Sequence, residues 1–255
     1  MKIPLIDLKR QYANIKKEAE KAVLEVLANA QYIMGENVKA FEREMADYIG
    51  VKHAIAVANG TDALVISLKA LGIGPGDQVI TTPFTFFATA ESISAVGATP
   101  VFVDVRKDTF NIDENQIEAK INSKTRAIMP VHIFGQPCEM DRINGIAAKH
   151  NLYVIEDACQ AISAEHKGKK AGALADIACF SFFPTKNLSC AGDGGMITTD
   201  NDRLAAICSA LRIHGSGEAG LQAFNLIHNI DENTTENQSG DNTVYNPLKY
   251  YNYLI

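Results

Sequence analysis

Short apolar runs and segments of helical period alternate from His53 to about Gly215, and few architectures accept that order. "HAIAVA" at His53, "QVITT" at Gln78, "TPVFVDV" at Thr99, "RAIMPVHIF" at Arg126 and "LYVIEDA" at Leu152 read as strands. Between them, "TDALVISLKALG" from Thr61, "FFATAESISAVG" from Phe86, "ENQIEAKI" behind a capping Asp113 and "MDRINGIAAKHN" read as helices. Later, "IACFSFF" and "GMITTD" read as short strands and "DRLAAICSALRIHG" as a helix. Strands this uniformly apolar belong to a sheet covered on both faces. The expected fold is therefore α/β, a three-layer sandwich around a mainly parallel central sheet. Two amphipathic helices, "YANIKKEAEKAVLEVLAN" from Tyr12 and "VKAFEREMADYI" from Val38, precede it.

In such sheets ligands collect at the carboxyl ends of the strands. That rule gathers Asn59–Asp62, Pro83–Phe86, Asp104, His132, Asp157–Gln160 and Ser181–Lys186 on one rim. Within it, "FSFFPTKNLSCAGDGG" aims Lys186 out of the end of an apolar strand. A strongly hydrated ammonium is costly there unless something uses it. Taken alone, Lys186 reads as a surface lysine and Asp157 as a turn or capping aspartate. Together they are the two groups that pyridoxal 5'-phosphate requires: an amine for covalent attachment and a carboxylate to keep the pyridine nitrogen protonated. Gly60, Thr61 and Asp62, where a strand gives way to a helix, offer free N–H groups to a phosphate. Ser181 adds a hydroxyl, Phe86 a flat face for the ring, and Gln160 a reach to its phenolic oxygen. Each has a bland alternative in capping or core packing; their order on one rim is what joins them.

The segments "NGTDAL", "TTPFTFFATAE", "PVFVDV", "MPVHIFGQP", "VIEDACQA", "DIACFSFFPTKNL" and "GDGGMITTD" resemble the successive motifs of the nucleotide-sugar aminotransferases. These form the DegT/DnrJ/EryC1/StrS group of fold-type-I pyridoxal phosphate enzymes. The resemblance runs from "IPLIDLKRQY" to about "RIHG". It implies that Lys186 is the cofactor-bearing lysine, Asp157 the pyridinium partner and Gln160 the neighbour of the ring oxygen. It also places Gly60, Thr61 and Ser181 at the phosphate and Phe86 against the ring. Relatives with histidine in place of the lysine act as dehydratases, which Lys186 argues against. The implied reaction moves an amino group from an amino acid donor, L-glutamate, to a nucleotide-linked keto sugar for amino-sugar and surface polysaccharide biosynthesis. "EDACQA" with "SFFPTKNL" and "GDGG" resembles the branch that aminates position 3, uronate forms included; the 4-keto branch and a non-catalytic regulatory homologue stay open. A homodimer is implied, with the active site between subunits.

By this reading residues 1–50 are N-terminal helices, 51–214 the α/β core and 215–247 a polar, Asn-rich loop or insertion. Family members continue into a smaller C-terminal domain, so the chain reads as the cofactor-binding large domain cut short. Its ending "YYNYLI" then reads as an apolar patch awaiting a cover. The net charge of −6 gives no basic footprint for nucleic acid or for anionic membranes. With 47% hydrophobic residues in 255, there is ample material for a large core. No stretch reads as a secretory signal or a bilayer span. Five scattered cysteines without a C-x-x-C pair read as free thiols of a cytoplasmic protein, with no metal site. On that reading the sequons at Asn233 and Asn237 are chance matches. A dinucleotide-binding oxidoreductase fails on context: "GIGPGD" at Gly72 precedes its strand and closes a helix.

Overall fold

The computed structural model describes residues 4–228. After α1 (Leu8–Asn29) and α2 (Glu36–Ile49) the chain alternates β1 (His53–Val57), α3 (Gly60–Ala70), β2 (Gln78–Thr81), α4 (Ala88–Ala95) and β3 (Thr99–Phe102). It continues through the single turn α5 (Glu114–Ile117), β4 (Thr125–Ile128), α6 (Met140–His150) and β5 (Tyr153–Asp157). A hairpin of β6 (Glu165–His166) and β7 (Lys169–Lys170) follows, then β8 (Ile177–Ser181), β9 (Gly195–Thr199), α7 (Asp202–Leu211) and α8 (Gly217–His228).

Seven strands form one sheet in the order β1-β9-β8-β5-β4-β2-β3. All neighbours run parallel except β9, which is antiparallel to both β1 and β8. Side chains alternate across the sheet, so each strand feeds two cores. On one face Ile128, Val154 and Phe180 meet Met45 and Ile49 of α2 and Met140 and Ile143 of α6. On the other, Ile155, Ile177 and Ile197 meet Leu64 and Leu68 of α3, Ile93 of α4 and Ile207 of α7. The three layers expected from the alternation are present. Leu64 and Leu68 are buried, each contributing about 2 kcal/mol of apolar burial.

Three local features depart from the sequence reading. The hairpin β6–β7 was not expected, because only two residues pair on each side. Its turn places Lys167 and Gly168 at φ 51° and 81°, the left-handed pair a tight hairpin needs. The polar loop expected over 215–247 begins instead as α8. Ala223 and Ile227, four residues apart, pack into the second core, while Ala219 is exposed. Interspersed glycine, glutamine and asparagine hide that pair in the sequence. The rest of that stretch, both sequons and the ending "YYNYLI" lie outside the described residues.

His132 also differs from its expected place on the rim. It is fully buried, and its Nε2 donates to Glu156 Oε2 at 3.0 Å while Nδ1 accepts from the Cys138 amide at 3.2 Å. The amide on Nδ1 calls for a lone pair there, which leaves Nε2–H as the donor to Glu156. Glu156 accepts further from the amides of Gly172 at 2.8 Å and Leu174 at 2.7 Å. The pair is a structural clamp beneath the sheet, anchoring the 172–174 turn to β5.

Candidate active site

Because β1, β2, β4, β5 and β8 run parallel, their carboxyl ends share one edge of the sheet, where a cavity of about 380 Å³ opens. That volume suits a small-molecule site. It is lined by Gly60, Thr61, Phe86, Asp157, Gln160, Ser181 and Lys186. Asp62, expected with them, is not a lining residue. It lies in the first turn of α3, where its amide donates to Asn59 Oδ1 at 2.8 Å and its carboxylate accepts from Asn59 Nδ2 at 3.2 Å. Asn59 is the N-cap, and Asp62 supports it. Asp104 and His132 do not line the cavity either.

Gly60, Thr61 and Ser181 bring unused donors to the cavity wall. The first backbone bond of α3 runs from Ala63 N to Asn59 O at 3.1 Å, and the cap engages Asp62 N. The amides of Gly60 and Thr61 precede both, at the positive end of the helix. Gly60 allows the turn to press against β8. A Cβ there would lie 2.8 Å from Ser181 Cβ and 3.0 Å from Cys159 Sγ. Ser181 Oγ accepts from Phe183 N at 3.3 Å, which leaves its O–H to donate to an anion. Gly195 permits the same approach from β9, since a Cβ there would lie 2.3 Å from the backbone C and O of Asn59. Gly195→Ala is expected to lower stability by about 3 kcal/mol, because backbone must move to admit the methyl. Thermal unfolding of the variant measures it.

Asp157 is 5% exposed at the tip of β5. Its backbone is pinned by N–H donation to Pro130 O at 2.9 Å and by acceptance from His132 N at 3.0 Å. The carboxylate accepts from Thr89 Oγ1 at 2.7 Å and from Cys159 N at 3.3 Å. Burial, and then the charge of Asp157, push the Cys159 thiol well above its ordinary range. Cys159 is thus a neutral wall, not a nucleophile. Phe86 is 70% exposed and presents its ring to the opening. Gln160 Oε1 accepts from Phe134 N at 2.8 Å, so the NH₂ end is the donor left for a cavity acceptor. Phe134 holds a left-handed φ of 55° to make that bond. Lys186 enters from the loop after β8, its amide bonded to Phe183 O at 2.8 Å.

Seven of the eight residues that the sequence reading assigned to the cofactor therefore meet in one cavity. The sequence reading missed Thr89, Leu64 and Asp193, which also line it, and gave Thr85 and Cys159 no role beyond a place on the rim. Thr89 follows Phe86 by one helical turn, the only signal pointing to it in the sequence. The donor set fits pyridoxal 5'-phosphate: an amide and hydroxyl cradle for the phosphate, a buried carboxylate for the ring nitrogen, an aromatic face and a lysine.

Comparison with known proteins agrees. The chain is 52% identical over 216 residues to the "Pleiotropic regulatory protein" of Geobacillus stearothermophilus, covering 85% of this chain and 58% of that protein. It is 48% identical over 213 residues to the "UDP-2-acetamido-2-deoxy-3-oxo-D-glucuronate aminotransferase" of Pseudomonas aeruginosa, covering 84% of this chain and 59% of that protein. The solved structure of NtdA from Bacillus subtilis with bound cofactor PMP matches with a TM-score of 0.80 and 38% identity, over 84% of this chain and 49% of that one. The chain thus spans little more than half the length of the curated relatives it matches. The model of the DegT/DnrJ/EryC1/StrS aminotransferase family matches residues 13–238, and the chain belongs to that family.

Proposed function

We propose that this chain carries the cofactor site of an aminotransferase that moves an amino group from L-glutamate to a keto nucleotide-sugar. One observation carries the reading: Lys186, Asp157 and the Gly60–Thr61–Ser181 cradle line one cavity. Bound pyridoxal 5'-phosphate supplies an electron sink for the donor's Cα–H bond as it breaks. The protein does the rest. The Gly60 and Thr61 amides and the Ser181 hydroxyl bind the phosphate. Asp157 keeps the ring nitrogen protonated, Phe86 covers the ring and Gln160 donates to its phenolic oxygen. Lys186 would hold the cofactor through Nζ, and the same amine would accept the donor's Cα proton.

The sugar is assigned to the 3-keto class, uronate forms included, supported by the 3-oxo-glucuronate named in the Pseudomonas relative. Assay of 3-keto and 4-keto nucleotide sugars with glutamate tests this. Amination of the 3-keto class is expected; turnover of the 4-keto class alone overturns the assignment. The Geobacillus relative bears a regulatory name, which favours a second, non-catalytic reading. Activity on neither sugar, with cofactor bound, supports that one.

The free thiols Cys138, Cys159, Cys179, Cys190 and Cys208 support a reducing, cytoplasmic setting. Among the described residues no helix is long and apolar enough to cross a membrane. A homodimer is part of the proposal. No residue of the 22-residue α1 is buried, and Tyr12, Ile15, Val23, Leu24 and Leu27 are 45–64% exposed along it. An apolar helix face of this size calls for a cover. Sedimentation is expected to show twice the 27.7 kDa chain mass; a monomer at all concentrations contradicts it.

A further inference from the structure

Thr89 occupies an unusual place for a threonine in the first turn of a helix. Such a side chain commonly points to solvent or returns its hydroxyl to a carbonyl of its own helix. Here it is 1% exposed, and Oγ1 donates to Asp157 Oδ2 at 2.7 Å, 68 positions along the chain. Its i−4 neighbour, Thr85, meets the same hydroxyl through Oγ1 at 2.8 Å. A hydroxyl carries one hydrogen, and that of Thr89 is committed to a carboxylate that cannot donate. The hydrogen between the threonines therefore belongs to Thr85. The result is a directed chain, Thr85 to Thr89 to Asp157, in which each bond strengthens the next. Both threonines line the cavity beside Phe86.

A buried carboxylate needs donors, and donation favours its charged form. Among the described residues the donors to Asp157 are Thr89 Oγ1 on Oδ2 and Cys159 N on Oδ1. The bond of 2.7 Å is much the shorter of the two, the other being 3.3 Å. Each oxygen retains a lone pair for a further donor. We infer that Thr89, backed by Thr85, is a positioning residue that orients the Asp157 carboxylate toward a protonated ring nitrogen. The inference rests on the cofactor reading above.

The test uses the full chain and two probes, pyridoxal 5'-phosphate and its 1-deaza analogue, in which C–H replaces the ring nitrogen. Affinity for each is measured by spectroscopic titration, with thermal unfolding as a check on the fold. The unsubstituted protein is expected to prefer pyridoxal 5'-phosphate. Thr89→Val, nearly isosteric but without the hydroxyl, is expected to lose roughly tenfold to a hundredfold in affinity for pyridoxal 5'-phosphate and little for the analogue. Thr89→Ser restores the donor and should stay within about threefold on both. Thr85→Val, should Thr89→Val fail to fold, is expected to show a smaller loss with the same selectivity. Equal losses on both probes, or none on either, overturn the positioning role while leaving the cofactor reading intact. If the unsubstituted protein binds neither probe, or both alike, the reading of Asp157 fails and the inference falls with it.

Discussion

Lys186→Ala is expected to abolish turnover and the absorption band that marks cofactor covalently held by the protein. Lys186 is the lysine that lines the cavity, and alanine offers neither a nucleophile nor a base. Losing both functions costs roughly four orders of magnitude in rate or more. The cradle of Gly60, Thr61 and Ser181 does not depend on Lys186, so the variant should still bind the cofactor reversibly. That separates a lost chemical group from a lost fold. Unchanged activity in Lys186→Ala sinks the assignment.

Asp157→Asn is expected to retain cofactor and lose about a thousandfold in rate. A neutral amide cannot hold the proton on the ring nitrogen, and the structure adds a second reason. Both groups facing the carboxylate donate to it, Thr89 Oγ1 at 2.7 Å and Cys159 N at 3.3 Å. An asparagine must turn its NH₂ toward one of them, so either the threonine chain reverses or a donor faces a donor. Single-turnover measurement with glutamate reads the loss directly. Wild-type rates in Asp157→Asn would show that the carboxylate only supports β5.

What was legible in the sequence was periodic or local. The strands emerged because β5, β8 and β9 are buried on both faces and so read as short, largely apolar runs. Their ends then identified Asp157, Gln160, Ser181 and Lys186, because a parallel sheet brings those ends to one edge. What was hidden depends on distance. Nothing near Thr89 announces a partner 68 residues away, and nothing near His132 announces that Glu156 holds it beneath the sheet. Asp62 illustrates the opposite error. It sits beside the cradle in sequence, but the N-cap geometry draws its carboxylate to Asn59. The helix α8 was obscured by composition, since one small alanine, Ala223, and Ile227 four residues on carry its packing into the core. Residues that act through neighbours in space leave little trace in a single sequence.

The central claim is that this cavity turns over an amino donor on pyridoxal 5'-phosphate through Lys186 and Asp157. Its most direct test is the absorption spectrum of the purified chain with that cofactor, before and after addition of glutamate. The account predicts a band of covalently held cofactor that glutamate converts to that of the aminated form, and that is missing from Lys186→Ala. A band indifferent to glutamate, or one that persists unchanged in Lys186→Ala, contradicts it.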